Sequence, residues 1–204
     1  SLSVTLVTDE SGQIDQAAKT SAFTELLANL PLDTGMAFVL VQHLDPVHES
    51  ALTEILSRAT KLPVHEATND QRVRPNAVYI IPPNFFLSIE KGALKLEPRT
   101  ADRTPPHSVD HFFESLAQDV QERAIGVVLS GAAGDGTMGL EAIRAAGGFT
   151  FAQDESAKYD SMPRSAIASG CVDLVLPPKK IAEELARIAH HPRALPSKGD
   201  VDAD

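Results

Sequence analysis

His43 and Asp135 are the residues of this chain whose types and surroundings read most directly as chemistry. Residues 37–41 form an apolar run that ends in Gln42-His43-Leu44-Asp45-Pro46, so an imidazole follows a strand end. Residues 125–140, reading IGVVLSGAAGDGTMGL, pass from an apolar strand into a glycine-rich loop and then a helix, and the loop carries one carboxylate, Asp135. Ligands of open α/β folds bind at the carboxyl ends of the strands. Both side chains are therefore expected at the rim of one cleft, where a neutral imidazole serves as general base and a carboxylate orients it. Each also has a plainer reading. His43 ahead of Asp45-Pro46 suits a turn, and Asp135 between glycines before a helix suits an N-cap worth ~1 kcal/mol.

The loop at 131–136 offers backbone N–H groups at a helix start, which attract anions. No Lys-Ser/Thr pair follows its last glycine and it does not follow the first strand, so neither nucleotide fingerprint is met. An oxyanion hole, with Ala132 and Ala133 as N–H donors, is the better use of it. Such a site calls for a nucleophile, expected in the turn after the first strand. That turn reads Thr8-Asp9-Glu10-Ser11-Gly12-Gln13 and makes Ser11 the candidate. Two neighbouring acids oppose ionisation of its hydroxyl, and serines are common in such turns for conformational reasons alone. Thr20 and Ser21 are alternatives that fall within helical spacing. His48, His65, His107 and His111 are scattered without ligand spacing, which argues against a zinc site. Arg164, after Met162-Pro163, is placed either to clamp a carboxyl group or to face solvent.

The elements that must position these groups follow from periodicity. Residues 4–7, 37–41, 78–81, 125–129, 149–152 and 174–176 are short, apolar and rich in β-branched side chains, as buried parallel strands are. Helical spacing falls between many of them, at about 14–30, 50–60, 109–121, 137–146 and 180–190. Phe23, Leu26, Leu27 and Leu30 share one helix face, and Phe112, Phe113, Leu116 and Val120 share another. The alternation predicts an α/β fold: a doubly wound, mostly parallel sheet with helices on both faces. Residues 86–89 and 93–96 around Glu90-Lys91-Gly92 predict an antiparallel hairpin at an edge. Residues 98–108, with three prolines, read as a mobile loop, and the chain from 191 to 204 reads as a disordered tail after a single domain over 1–190.

Composition narrows the function classes. The 204 residues are 43% hydrophobic and 23% charged, enough for one large domain with a substantial core. A formal charge of −10, from 18 basic and 28 acidic residues, with no dense basic run, removes the electrostatic basis for nucleic-acid binding. No apolar run approaches the ~20 residues needed to cross a bilayer, and no secretory signal is visible. Cys171 is the only cysteine, which excludes an internal disulfide, fits a reducing cytoplasm, and with Val172 and Leu174 nearby reads as buried filler. The chain starts at Ser1 rather than methionine, as a piece of a longer protein would.

Five segments together resemble the catalytic domain of the chemotaxis protein-glutamate methylesterases, the CheB family, in the form found in methylesterase–methyltransferase fusion proteins. They are DTGMAFVLVQHLDP from Asp33, VYIIPPN from Val78, HSVDHFFESLA from His107, IGVVLSGAAGDGTMGL from Ile125 and FAQDESAKYDSMPRSAIASGCVDLVLPP from Phe151. They occur in family order over most of 33–178. The resemblance implies a Ser-His-Asp triad in which His43 and Asp135 take the family roles, with Ala132 as the oxyanion N–H where the family often has methionine. The family sets its nucleophile in a GASxGG-like turn after the first strand, whereas this chain reads TDESGQIDQAAKTSAF there. Counting back from Ala22-Phe23 puts the nucleophile position at Gln16, and counting from the strand puts it at 9–11; neither restores the glycines that permit a strained turn. With Ser11 as nucleophile, the resemblance implies hydrolysis of a glutamate methyl ester, and deamidation of glutamine, on the cytoplasmic helices of chemoreceptors. It implies no metal or organic cofactor, and covalently linked methyltransferase or regulatory domains in a longer chain. The alternative is a degenerate domain that binds receptor or regulates without chemistry.

Overall fold

The structure is a computed structural model and describes residues 3–9, 16–42, 49–99, 107–131 and 134–191. Strand β1 (Ser3–Asp9) leads to helix α1 (Gln16–Ala28), β2 (Met36–Gln42) and α2 (Glu49–Ala59). Three short strands follow, β3 (Val64–Glu66), β4 (Gln71–Arg72) and β5 (Ala77–Ile80), then the hairpin β6 (Phe85–Glu90) and β7 (Ala93–Pro98). The remainder runs α3 (Ser108–Val120), β8 (Ala124–Val128), α4 (Thr137–Ala145), β9 (Phe149–Gln153), α5 (Ser161–Ala168), β10 (Leu174–Leu176) and α6 (Pro178–His190). The main sheet has the order β10-β9-β8-β1-β2-β5-β3 with every pair parallel. The expected doubly wound α/β fold is borne out. The chain winds outward from β1 through β2 and β5, then returns to lay β8, β9 and β10 on its other side, so the switch point lies between β1 and β8.

Side-chain alternation along the strands builds the layers on either face. Ala37, Val39 and Val41 of β2, with Ala77 and Tyr79 of β5, join a core closed by Val109, Phe112, Phe113 and Leu116 of α3, Leu140 and Ile143 of α4, and Met162 of α5. Met36, Phe38 and Leu40, with Val78 and Ile80, face the opposite core, closed by Phe23, Leu26 and Leu27 of α1, Leu56 of α2, and Ile181 and Leu185 of α6. Both predicted helix faces, of α1 and α3, are buried as read.

The hairpin expected at an edge of the sheet instead pairs with β4 in a separate three-stranded antiparallel sheet. Its apolar residues Leu87, Ile89 and Leu94 are buried in the α3 core, so covering that helix accounts for its position better than extending the main sheet. Lys91 and Gly92 both have positive φ, 51° and 74°, as a two-residue turn between twisted strands requires. Its tip is fastened to α3: the Lys91 and Gly92 N–H groups donate to the Asp119 carboxylate, and the Ile89 N–H donates to Ser115 Oγ at 3.0 Å. β3 and β4 were not legible as strands because they hold three and two residues with a single apolar side chain between them. Met162-Pro163-Arg164, read as preceding a short helix, is its first turn, where proline is tolerated. Cys171 is buried as expected. No helix among the described residues is long and apolar enough to cross a membrane. Of the expected loop, residues 100–106 lie outside the described residues, as do residues 192–204 of the expected tail.

Candidate active site

The register of the central strands ends three of them at one edge. Thr8 of β1 pairs with Val41 of β2 on one side and Val128 of β8 on the other, and Asp9 pairs with Gln42. Three neighbouring strands, which in sequence precede Ser11, His43 and the glycine-rich loop, therefore end at one level, beside the switch point where such folds bind ligands. Ser11, His43, Ala132 and Ala133 themselves lie outside the described residues. Gln16 begins α1, and Thr20 and Ser21 fall within it.

Asp135 is described in full, and its surroundings differ from the expectation of a simple N-cap on the helix that follows it. Its carboxylate, 3% exposed, reaches across to the head of α3. Oδ2 accepts the Val109 N–H at 3.0 Å, and Oδ1 accepts the N–H groups of Asp110 at 2.9 Å and of its own neighbour Gly136 at 2.8 Å. Free N–H groups of a first helical turn favour a negative charge. Gly136, the N-cap residue of α4, is left-handed at φ 96° and has no side chain to cap with. Its missing Cβ also matters, because a Cβ there would stand 2.9 Å from Val109 Cγ1. Glycine thus provides both the turn and the close approach that brings the carboxylate to α3.

Asp110 returns the arrangement. It lies in the first turn of α3, is 6% exposed, and its Oδ1 accepts the Gly139 N–H in the first turn of α4 at 2.7 Å. Each helix head is capped by an aspartate belonging to the other helix or its lead-in loop. Burial, with the Asp135 charge and a side-chain hydrogen bond to it adding, pushes the Asp110 carboxyl up to about 6 against the Gly139 N–H. His107, which sequence spacing left unconnected, joins the pair: Nδ1 stands 3.7 Å from Asp110 Oδ2 and 3.8 Å from Asp135 Oδ1, with the side chain 57% exposed. The three residues bring ligand-type atoms within 4.8 Å of one another. Three of the carboxylate lone-pair directions of Asp135 are already taken by N–H donors, however, whose positive ends oppose a cation. Arg99 contributes a favourable charge toward Asp135, although burial pulls its own pKa down.

The entry to the glycine-rich loop is held from the other side. The Ser130 N–H donates to Gln153 Oε1 at 2.9 Å, and Ser130 Oγ accepts the Tyr159 N–H at 2.9 Å. The Gly131 N–H donates to the Tyr159 carbonyl at 2.8 Å, while the Gly131 carbonyl accepts the Met162 N–H and the Ser161 hydroxyl, both at 3.1 Å. The described entry to the loop, at Ser130 and Gly131, is thus fixed by five hydrogen bonds. Asp110, Gln153 and Ser130 were missed from the sequence. An acid in a first helical turn was a visible signal for Asp110, but its partners lie 25 and 29 positions away.

The remaining candidates lie apart. His65 on β3 stacks obliquely on Tyr79 with centroids 5.8 Å apart, and with Gln71, Arg72, Arg74 and Tyr79 lines a separate cavity of about 310 Å³. His111 packs on Phe86. Arg164 is exposed and pairs with Asp160 at 2.9 Å, which matches the solvent-facing option. His48 lies outside the described residues.

Comparison with known proteins identifies the family and the fold. A protein-glutamate methylesterase/protein-glutamine glutaminase of Carboxydothermus hydrogenoformans is 37% identical over 175 residues, covering 81% of this chain and 51% of its own length. One from Burkholderia orbicola is 39% identical over 173 residues, covering 83% of this chain and 51% of its own. The chain thus spans about half the length of these two relatives. The crystal structure of the Thermotoga maritima CheB methylesterase catalytic domain superposes with a TM-score of 0.81 at 27% identity, over 92% of this chain and 99% of that one. The model of the CheB methylesterase family matches residues 17–185, from α1 into α6, and the chain belongs to that family.

Proposed function

We propose that this chain is a protein-glutamate methylesterase domain, hydrolysing the methyl ester of glutamate side chains on the cytoplasmic helices of chemoreceptors and deamidating glutamine at the same site. The observation that carries the reading is the buried Asp135 carboxylate, held by three N–H groups at the strand-end edge toward which the chain also leaves β1 and β2. The names of the relatives support the same chemistry. In this mechanism the Ser11 hydroxyl attacks the ester carbonyl while His43 takes its proton. The oxyanion forms against the Ala132 N–H, and Asp135 orients and stabilises the protonated imidazole. Methoxide leaves with the proton from His43 as methanol. Water, deprotonated by His43, then releases the glutamate carboxylate and restores Ser11. For glutamine the leaving group is ammonia. Beyond substrate and water, these steps draw on side chains and backbone groups of the chain.

Methanol release from a methylated receptor fragment tests this. Release that both Ser11→Ala and His43→Ala reduce by orders of magnitude supports the triad. Loss with His43→Ala alone moves the nucleophile elsewhere in the turn. The first turn favours a second reading, since it lacks the paired glycines of the family pattern. A chain that binds receptor without releasing methanol is a binding or regulatory module on the same fold.

A further inference from the structure

We propose that Asp110 is a positioning residue for Asp135, a role that rests on the catalytic reading of Asp135 given above. The argument is geometric. Asp135 precedes α4, yet two of the three backbone N–H groups it accepts belong to α3, at Val109 and Asp110. The place of its carboxylate is therefore set by where the head of α3 stands relative to the head of α4. Asp110 fixes that relation, because its backbone N–H holds Asp135 Oδ1 at 2.9 Å while its side chain holds the Gly139 N–H at 2.7 Å. One residue thus grips both the carboxylate and the helix that follows it. The helices meet at glycines along the same line: a Cβ on Gly139 would lie 2.4 Å from Phe113 Cβ and 3.1 Å from the Asp110 backbone. Contact this close leaves the heads little freedom while the Asp110 bond is made. Without that bond, the first turn of α4 loses its acceptor and the Asp135 loop loses its fixed distance from α3.

The variants Asp110→Ala and Asp110→Asn separate positioning from bulk. Asparagine keeps an oxygen for the Gly139 N–H and presents an N–H₂ group toward Asp135; alanine keeps neither. Two readouts are taken on folded protein. In the first, the amide proton signals of Val109 and Gly136, both bonded to Asp135, shift in Asp110→Ala and stay near wild type in Asp110→Asn. In the second, kcat for methanol release falls at least tenfold in Asp110→Ala with KM within twofold, and Asp110→Asn restores it to within about threefold of wild type. Asp110→Ser takes the place of the alanine variant if that one does not fold. Unmoved Val109 and Gly136 signals in Asp110→Ala overturn the proposal, whether or not the chain is active, as does an unchanged kcat. A wild-type chain without turnover counts against the methylesterase reading, and the amide signals then decide the positioning role alone.

Discussion

The Gln153 carboxamide oxygen accepts the Ser130 N–H at 2.9 Å, joining the end of β9 to the entry of the glycine-rich loop. Gln153 is 4% exposed and its amide nitrogen donates to Ser156 Oγ at 3.1 Å, so the side chain is held at both ends. Gln153→Leu keeps most of the volume and leaves the buried Ser130 N–H without an acceptor. A cost of about 1–3 kcal/mol is expected in urea unfolding. If the loop carries the oxyanion donor, kcat for methanol release falls as well while receptor affinity holds. Unchanged stability together with unchanged kcat would remove the latch from any role.

Asp110 makes stability depend on pH in an unusual direction for a carboxylate. Its folded pKa of about 6 lies above the ordinary 3.8, so the folded protein binds this proton more tightly than the unfolded chain does. Its contribution is then full below about pH 4 and is lost as pH rises through about 6, a change on the order of 3 kcal/mol. Asp110→Asn removes the ionisation. Its stability relative to wild type should rise between pH 4 and pH 7.5, read from urea midpoints at the two values. A difference that is flat or falls over that interval would contradict the assignment.

Gly139 is a packing requirement. An added Cβ would stand 2.4 Å from Phe113 Cβ, a distance non-bonded carbons do not adopt, and 3.1 Å from the Asp110 backbone, which cannot turn aside as a side chain can. Gly139→Ala is expected to destabilise by about 1–3 kcal/mol or more, despite the better helix propensity of alanine. Thermal unfolding checks the sign: a raised Tm would show that α3 and α4 separate readily.

What the sequence disclosed follows the range of its signals. Apolar runs and helical spacing are local, so the strands β1, β2, β5, β8, β9 and β10 and the helices α1 and α3 were legible with ends close to those observed. Lys91-Gly92 announced the hairpin, but its own sheet depends on β4, two residues whose pairing with Leu94 and Ala93 no local pattern shows. The same limit applies at the site. Asp135 stood out as a lone acid among glycines, while its attachment to α3 joins positions 25 and 26 apart and was not legible. His107 looked isolated because the Asp135 it approaches comes from the loop after β8. Family resemblance placed His43 and Ala132 in roles that spacing alone left open.

Asp135 caps α3 through its N–H bonds, the proposed mechanism adds a second duty, and Asp135→Asn distinguishes the two. The carboxylate accepts three N–H groups; a carboxamide has one oxygen and turns an N–H₂ group toward at least one of the donors it replaces. Loss of stability is therefore expected on top of loss of chemistry, about 1–3 kcal/mol for a buried donor left unpaired. His43→Ala removes the proposed base without touching these bonds, so its unfolding midpoint serves as the reference for a variant that loses activity alone. If both variants abolish methanol release and only Asp135→Asn lowers the urea midpoint, the carboxylate caps α3 and also serves the reaction. If Asp135→Asn loses stability but retains turnover, its burial at the helix head is structural, and the histidine works without an aspartate partner.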